Sequence, residues 1–356
     1  MTSFSTVADR RTNFGRLADL PLTVESYGLE GLRRRWSAEF VRRTTVVRLF
    51  GAGRTGVGED VTYTPAEHEV LQAAGATLPL AGRYTLDSFS RLLEELDLLA
   101  VQPRRADSRE YRRWAFESAA LDLALRQSGL ASALDRRPVP VSFVVSIRLP
   151  EPPTAEPVLA RLKLYPGLRF KLDATASWTE SLVAGLAATG AVASADFKAY
   201  YKDLPVDGAV NSELYRRVAE GLPEAWLEDP ALTPQTQRVL EPYLARITWD
   251  APIRSVADIA GLSVRPLCVY VKPSRFDTLR GLLDAYDHLA TEGIGVYGGG
   301  QFELGPGRVH IRYLASLFYP DAPNDVAPLG FHEIRDGLPE SPLAAPATES
   351  GFRWSA

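Results

Sequence analysis

Five charged residues recur along the second half of the chain at intervals that a repeating fold would explain. Lys171, Asp196, Glu228, Asp250 and Lys272 are separated by 25, 32, 22 and 22 residues. Each falls at or near the C-terminal end of a short, mainly apolar segment: LRFKLDA, VASADFKAY, EAWLEDP, RITWDAP and LCVYVKP. Three carboxylates gathered in one small volume cannot all stay ionised unless a cation neutralises them. Oxygen donors with no His or Cys partner select Mg²⁺, with Mn²⁺ as its substitute. A lysine beside a divalent cation has its ammonium form disfavoured, so it can act as a base near neutral pH. Two such lysines on opposite walls could move protons to and from opposite faces of one carbon. An ordinary salt bridge explains any one of these residues about as well, but it does not explain five in register. Only five of the 40 basic residues are lysines, at 163, 171, 198, 202 and 272. Where arginine is otherwise preferred, a retained lysine marks a position at which an amine that can titrate is needed.

The elements that must position these groups follow from the surrounding pattern. From residue 139 the chain alternates short apolar strands with helical segments, beginning at PVPVSFVVSI and ending with IGVYGGG and the helix GRVHIRYLASLF. Repeats of strand and helix about 20–30 residues long imply a parallel sheet with right-handed crossovers. Six or seven buried-type strands in succession favour a closed barrel, whose C-terminal strand ends converge on one mouth. The first third reads differently. Strands are expected in LTVESYGL and FVRRTTVVRLFG, separated by a basic turn, GLRRRWSAE, and followed by a mobile glycine-rich turn, GAGRTGVGED, at 51–60. Three helices follow, in TPAEHEVLQAAG, TLDSFSRLLEELDLL and SREYRRWAFESAALDLALRQSG, the last stopped by Gly129. Strands followed by helices suggest an α+β domain.

Composition narrows the function classes. Forty basic residues against 44 acidic ones give a net charge of -4, which offers no bulk attraction to nucleic acid or an anionic membrane. No uninterrupted apolar run reaches the roughly 18 residues needed to span a bilayer. The N-terminus lacks an apolar signal core, so a cytoplasmic location is expected. The single cysteine, Cys268, excludes an intramolecular disulfide and a Cys-rich zinc site. The glycines at 51–60 lack the Lys-Ser/Thr pair of a phosphate loop, and no Gly-x-Ser-x-Gly elbow supports a serine hydrolase. His68, His288, His310 and His332 show no metal-ligand spacing and read as structural or surface residues.

Several segments, in order over nearly the whole chain, resemble the enolase superfamily. The likeness is to its muconate-lactonizing-enzyme-like branch, which includes o-succinylbenzoate synthases and N-succinylamino acid racemases. WAFESAALDLALRQSGL resembles the helix that ends the capping domain, and PVPVSFVV the first barrel strand. WLEDP, TWDAP and VKPSR are similar to the metal-ligand motifs of the fourth and fifth strands and the lysine motif of the sixth. YGGGQFELGPGR resembles the glycine-rich run of the synthase and racemase group.

The resemblance implies an α/β fold, a modified TIM barrel (β/α)7β with an N-terminal α+β capping domain. The expected division is a cap with specificity loops over 1–135, the barrel over 136–330 and a return segment over 331–356. It also implies Asp196, Glu228 and Asp250 as ligands of an essential Mg²⁺, with Lys171 and Lys272 as acid/base residues. The shared chemistry is abstraction of the proton α to a carboxylate, giving an enediolate; Lys with Mg²⁺ is the superfamily's own pattern. Cycloisomerase or o-succinylbenzoate-synthase-like chemistry ranks ahead of racemisation or epimerisation. The partner is a small-molecule carboxylate, and a homo-oligomer is expected. Alternatives from other classes are a Schiff-base aldolase and a degenerate barrel kept as a binding protein.

The departures bear on the substrate. Where Lys-x-Lys is usual, the chain offers Arg169-Phe170-Lys171 or Lys171-Leu172-Asp173. The first register makes Lys171 the base with Arg169 as an electrostatic neighbour; the second makes Lys171 auxiliary and puts Asp173 in the base position. Lys198 stands where a neutral amide is usual and could pair with a ligand carboxylate, contact the substrate or point outward, and Gln301 stands where methionine is common. Asp229 is expected behind the ligands, Gly299 and Gly300 on the pocket wall, and Glu303 near the second lysine or the substrate, or as a helix-start or structural carboxylate. The Arg33-Arg34-Arg35 cluster reads as a solvated turn, or as a holder of a distal carboxylate in a specificity loop near 12–35.

Overall fold

The computed structural model describes residues 12–36, 40–99, 101–131, 134, 136–201, 208, 210–345 and 350–353. The N-terminal part runs α1 (Asn13–Leu17), β1 (Pro21–Val24), β2 (Ser26–Arg35), β3 (Val41–Gly51), β4 (Arg54–Asp60), α2 (Pro65–Ala74), β5 (Gly82–Thr85), α3 (Leu86–Glu95) and α4 (Ser108–Gln127). β2, β3 and β4 form an antiparallel meander, and β1 pairs with β5.

Two sequence expectations are corrected here. The basic stretch is no turn: Arg33, Arg34 and Arg35 belong to β2 and pair with Arg43, Arg42 and Val41 of β3. Nor is the glycine-rich stretch a mobile turn. Ala52 and Gly53, at φ 48° and 67°, make a two-residue hairpin, and Arg54–Asp60 is strand β4. Its glycines serve packing, because α4 lies directly on the strand. A Cβ at Gly56 or Gly58 would run into the carbonyl oxygens of Ala119 or Ala115. A glycine-rich run lacks the side-chain alternation that announces a strand, which is why it reads as loop.

The second part is the expected closed barrel. It runs β6 (Val145–Arg148), α5 (Glu156–Leu164), β7 (Phe170–Asp173), α6 (Glu180–Ala188), β8 (Val192–Asp196), α7 (Ser212–Gly221), β9 (Trp226–Glu228), α8 (Pro234–Leu240), β10 (Ile247–Thr248), α9 (Val256–Ala260), β11 (Cys268–Val271), α10 (Leu279–Glu292), β12 (Gly295–Gly298) and α11 (Pro306–Phe318). β6 to β10 form one parallel sheet in chain order, and β11 pairs in parallel with β12. The Tyr270 N–H donates to the Trp249 carbonyl (3.0 Å) and joins the two sheets. Parallel bridges from Gly299 to Asp325 and from Phe143 to Asn324 add a short eighth stave and close the ring. Local chemistry fixes where the helices begin: Thr179, Asn211, Thr233, Ser255 and Thr278 each cap a first turn with a side-chain oxygen.

The two parts are fastened together over the barrel mouth. Arg42 of β3 is buried and donates to the carbonyls of Gln301 (2.9 Å) and Phe302 (3.3 Å), beyond β12. Glu59 of β4 accepts the N–H groups of Leu304, Gly305 and Gly307 at 2.7–2.9 Å, covering the start of α11. The C-terminal segment returns to α4, where the Phe352 N–H donates to Asp122 (3.0 Å) and the Phe352 ring stacks on His310. Among the described residues no helix is long and apolar enough to cross a membrane.

Candidate active site at the barrel mouth

Strand register sets the depth of each functional group. Asp173, Asp196, Glu228 and Thr248 lie side by side across β7, β8, β9 and β10. One inward step lower, Lys171 lies beside Ser194. Inward residues on a strand recur every second position, so Lys171 and Asp173 share a face, as do Ser194 and Asp196. Arg169 lies before β7 begins and is exposed, so it is not the electrostatic neighbour of Lys171 that the first register expects. Lys171 and Asp173 are the two residues of that segment that face the site.

The Lys171 ammonium is in contact with Glu228 and lies 3.2 Å from Asp196. The other Glu228 oxygen accepts from the Tyr297 hydroxyl (2.8 Å) and Ser194 (3.2 Å). Both oxygens of Asp196 are taken by one residue, Lys198, through its backbone N–H (2.9 Å) and its ammonium. Across the mouth, Lys272 meets Asp250 at 2.8 Å, and Arg275 reaches the same carboxylate at 2.7 Å. Tyr201 donates to Asp250 (2.8 Å) and accepts from Arg275 (3.0 Å). Both ammoniums stand over one ring: Lys171 is 4.3 Å and Lys272 4.9 Å from the centre of Tyr270. That ring stacks on Tyr297 at 4.7 Å.

Electrostatics separate the two lysines. Burial works against the charged form of Lys171, but Glu228 and Asp196 outweigh it and raise its pKa. For Lys272 burial prevails over Asp250, helped by Arg275, Lys171 and Lys198, and the pKa is lowered. Burial also opposes ionisation of the carboxylates. Lys198 and Lys171 nevertheless hold Asp196 at about 2, and Arg275 and Lys272 hold Asp250 far below the usual range. Burial raises Glu228 well above a normal carboxyl and lifts Asp229 to about 7, Asp250 and Asp196 adding to the latter.

Oxygens of Asp196, Glu228 and Asp229 lie within 4.8 Å of one another, a donor set that suits a hard divalent cation. Asp250 is outside that close group, with its oxygens turned to Lys272, Arg275 and Tyr201. Asp229 is at φ 50°, and its oxygens accept the N–H groups of Asp250 (2.9 Å) and Ala251 (3.0 Å). Lys198 (φ 55°) and Phe302 (φ 60°) are also non-glycine residues in the left-handed region. Strain of this kind gathers where a fold must hold a functional geometry.

The glycine-rich run forms the remaining wall. Gly299 lies so close to Tyr270, and Gly300 to the Glu303 carboxylate, that a Cβ at either would collide. Glu303 accepts the Gln301 N–H (2.7 Å), and its charge bears on Glu59 of the cap. Gln301 is held from the cap by Tyr63 (2.8 Å) and Tyr111 (3.2 Å), which satisfies its buried amide. Lys163 is exposed, and Lys202 lies outside the described residues. His68 bonds Thr45 and the Thr62 carbonyl within the cap, and His332 packs on Trp36. The sequence reading passed over Tyr201, Tyr270, Arg275, Tyr297 and Ser194. Period-two spacing could have found two of them, since Ser194 precedes Asp196 and Tyr270 precedes Lys272 by two residues.

No curated protein sequence matched the chain. Solved structures of similar fold include a member of the enolase superfamily from Listeria innocua Clip11262 (20% identity, 86% of each chain, TM-score 0.61). They also include muconate lactonizing enzyme from Pseudomonas fluorescens complexed with muconolactone (18% identity, 93% of this chain and 96% of that one, TM-score 0.63). A third is dipeptide epimerase from Methylococcus capsulatus complexed with Mg ion (18% identity, 85% and 90%, TM-score 0.63). The family models described as the N-terminal and C-terminal domains of a domain of unknown function (DUF8230) match residues 15–133 and 137–333. The chain therefore belongs to the DUF8230 family, and its fold is that of the enolase superfamily.

Proposed function

We propose that this chain catalyses abstraction of the proton α to a carboxylate in a small-molecule substrate, assisted by Mg²⁺. The observation that carries the reading is the convergence of Lys171 and Lys272 with Asp196, Glu228 and Asp250 at one end of the barrel. Asp196, Glu228 and Asp250 would hold the cation. Each carboxylate oxygen has two lone pairs, so one that accepts an N–H can still ligate. Asp229 accepts the N–H groups of Asp250 and Ala251 and so shapes the loop that presents Asp250. When bound, the cation supplies the fixed positive charge that a carbon acid beside a carboxylate needs.

Lys272 is the residue that takes the proton. Burial and three neighbouring cations disfavour its ammonium, and it shares its single carboxylate with Arg275. Lys171, tied to two carboxylates, keeps its proton and faces the substrate as a cation and proton donor. Tyr270 holds both side chains over one ring. This unequal pairing supports a one-base outcome, cycloisomerisation or dehydration of the o-succinylbenzoate-synthase kind. Racemisation or epimerisation is the second reading, because both ammoniums reach the same mouth and two bases could work there.

The test is Mg²⁺-dependent incorporation of deuterium from heavy water into a carboxylate library. It would hold muconate-type lactones, succinylbenzoate-pathway acids, N-succinylamino acids and dipeptides. Wild type is compared with Lys171→Ala and Lys272→Ala. The expected result is exchange at an α-carbon that needs Mg²⁺ and fails in Lys272→Ala. If Mg²⁺ does not bind at all, and chelator changes neither melting temperature nor ligand binding, the enzyme reading gives way to a binding protein.

A further inference from the structure

Lys198 occupies the mouth in an unusual way. It follows β8 by two residues, with φ 55°, a backbone region that side-chain-bearing residues rarely adopt. The turn folds Lys198 back on its own strand end, so that its N–H and its ammonium cover the two oxygens of Asp196. Its carbonyl accepts from the N–H groups of Tyr201 and Gly208, which hold the turn in place. A second carboxylate, Asp173, lies 3.3 Å from the same ammonium.

Exposure distinguishes this cation from its neighbour. The Lys171 side chain is 3% exposed and the Asp196 and Glu228 side chains 0%, whereas Lys198 and Asp173 are each 17% exposed. Lys171 is walled in; Lys198 has a partner on the solvent side to which it can move. Its charge, with that of Lys171 at 3.2 Å, already sits on a carboxylate that a divalent cation would also use, so a metal ion arriving there meets strong repulsion unless the freer ammonium moves away.

We propose that Lys198 is a tethered counter-ion that competes with the divalent cation for Asp196, and that metal entry transfers it to Asp173. The inference rests on the reading of Asp196 as a metal ligand and adds a residue that tunes the affinity of that site. Asp196 is thereby kept paired with a cation when no metal is bound.

The experiment is calorimetric titration of the full chain, stripped with chelator, with MgCl₂ and MnCl₂. Lys198→Asn removes the charge with a residue that accepts positive φ, and should bind Mg²⁺ about tenfold more tightly or better. Asp173→Asn takes away the exit partner and should weaken binding about threefold or more, and this loss should vanish in the Lys198→Asn background. Lys198→Met, which keeps the length of the chain, replaces Lys198→Asn if the latter does not melt cooperatively. Metal binding by Lys198→Asn but not by wild type would also support the inference. If Lys198→Asn binds no more tightly than wild type while Asp196→Asn abolishes binding, the counter-ion role is wrong and the metal site stands. If neither wild type nor Lys198→Asn binds, both readings fall.

Discussion

On the wall built by β7, β8 and β9, Lys171 faces two carboxylates, Glu228 and Asp196; on the wall built by β10 and β11, Lys272 shares one carboxylate with Arg275. The residue type is the same and the burial is similar, yet the pKa of the first lysine is raised and that of the second lowered. Count of partners decides the sign: desolvation disfavours both ammoniums, and only the wall with surplus carboxylates overcomes it. Two lysines that look equivalent in the sequence thus differ in how readily each gives up its proton.

For the proposed reaction, the largest effect should come from removing Lys272, whose ammonium is the less favoured of the two. Lys272→Met is expected to lower the rate of α-proton exchange by about 10²–10⁴-fold, the range for loss of a positioned acid or base. Lys171→Met should also fall, but it should keep more residual exchange than Lys272→Met, because in the proposed reaction Lys171 would hold charge and return a proton. Exchange rates in heavy water decide it. Equal losses in the two variants would erase the functional difference between the walls.

Next is the ligand set. Asp250→Asn should weaken Mg²⁺ binding about 100-fold or more, whereas Asp229→Asn, altering only a supporting carboxylate, should cost about tenfold. Calorimetric titration of the two variants ranks them. The reverse order would move the third ligand to Asp229, which already lies in the close oxygen cluster with Asp196 and Glu228.

How much of this the sequence carried follows from the kind of signal each feature leaves. The barrel was legible because its strands are short apolar runs at regular spacing, and the charges at their C-terminal ends mark the mouth. The cap was legible as helices, whose 3.6-residue period survives in a single chain. β4 was not legible, because its close approach to α4 requires glycines that carry no alternation. Arg275, Tyr201 and Tyr297 were missed for another reason. Their roles come from reaching across to Asp250 and Glu228 from other elements, and such contacts leave no local spacing. The register of Lys171 was narrowed to two choices, and strand pairing shows that Lys171 and Asp173, not Arg169, face inward.

The same asymmetry should appear in stability. Lys171→Met leaves Glu228 without its buried cation and Asp196 with Lys198 alone, so metal-free protein should lose about 3 kcal/mol. Lys272→Met leaves Asp250 still paired with Arg275 and Tyr201, and should change stability by less than about 1 kcal/mol. Urea melts in chelator measure both. A loss as large for Lys272→Met would mean that Arg275 does not compensate Asp250, and the contrast in pairing would fail.

The smallest effect is the most specific, and it concerns the carboxyl between the walls. Burial, with Asp250 and Asp196 beside it, lifts the Asp229 carboxyl from its ordinary 3.8 when unfolded to about 7 in the native mouth. Between those values the native protein holds a proton that the unfolded chain has released. Stability therefore falls as pH rises through this window, by up to about 1.4 kcal/mol per pH unit, and levels off above it. This is opposite in sign to the contribution of Asp196, held at about 2, whose stabilisation is present above 3.8 and lost as pH falls. Asn cannot titrate, so the stability of metal-free Asp229→Asn should fall less steeply than that of wild type between about pH 4 and 7, whatever the offset at any single pH. Parallel slopes would show that Asp229 is ionised throughout, and would place a cation beside it that the pairing of the two walls does not supply.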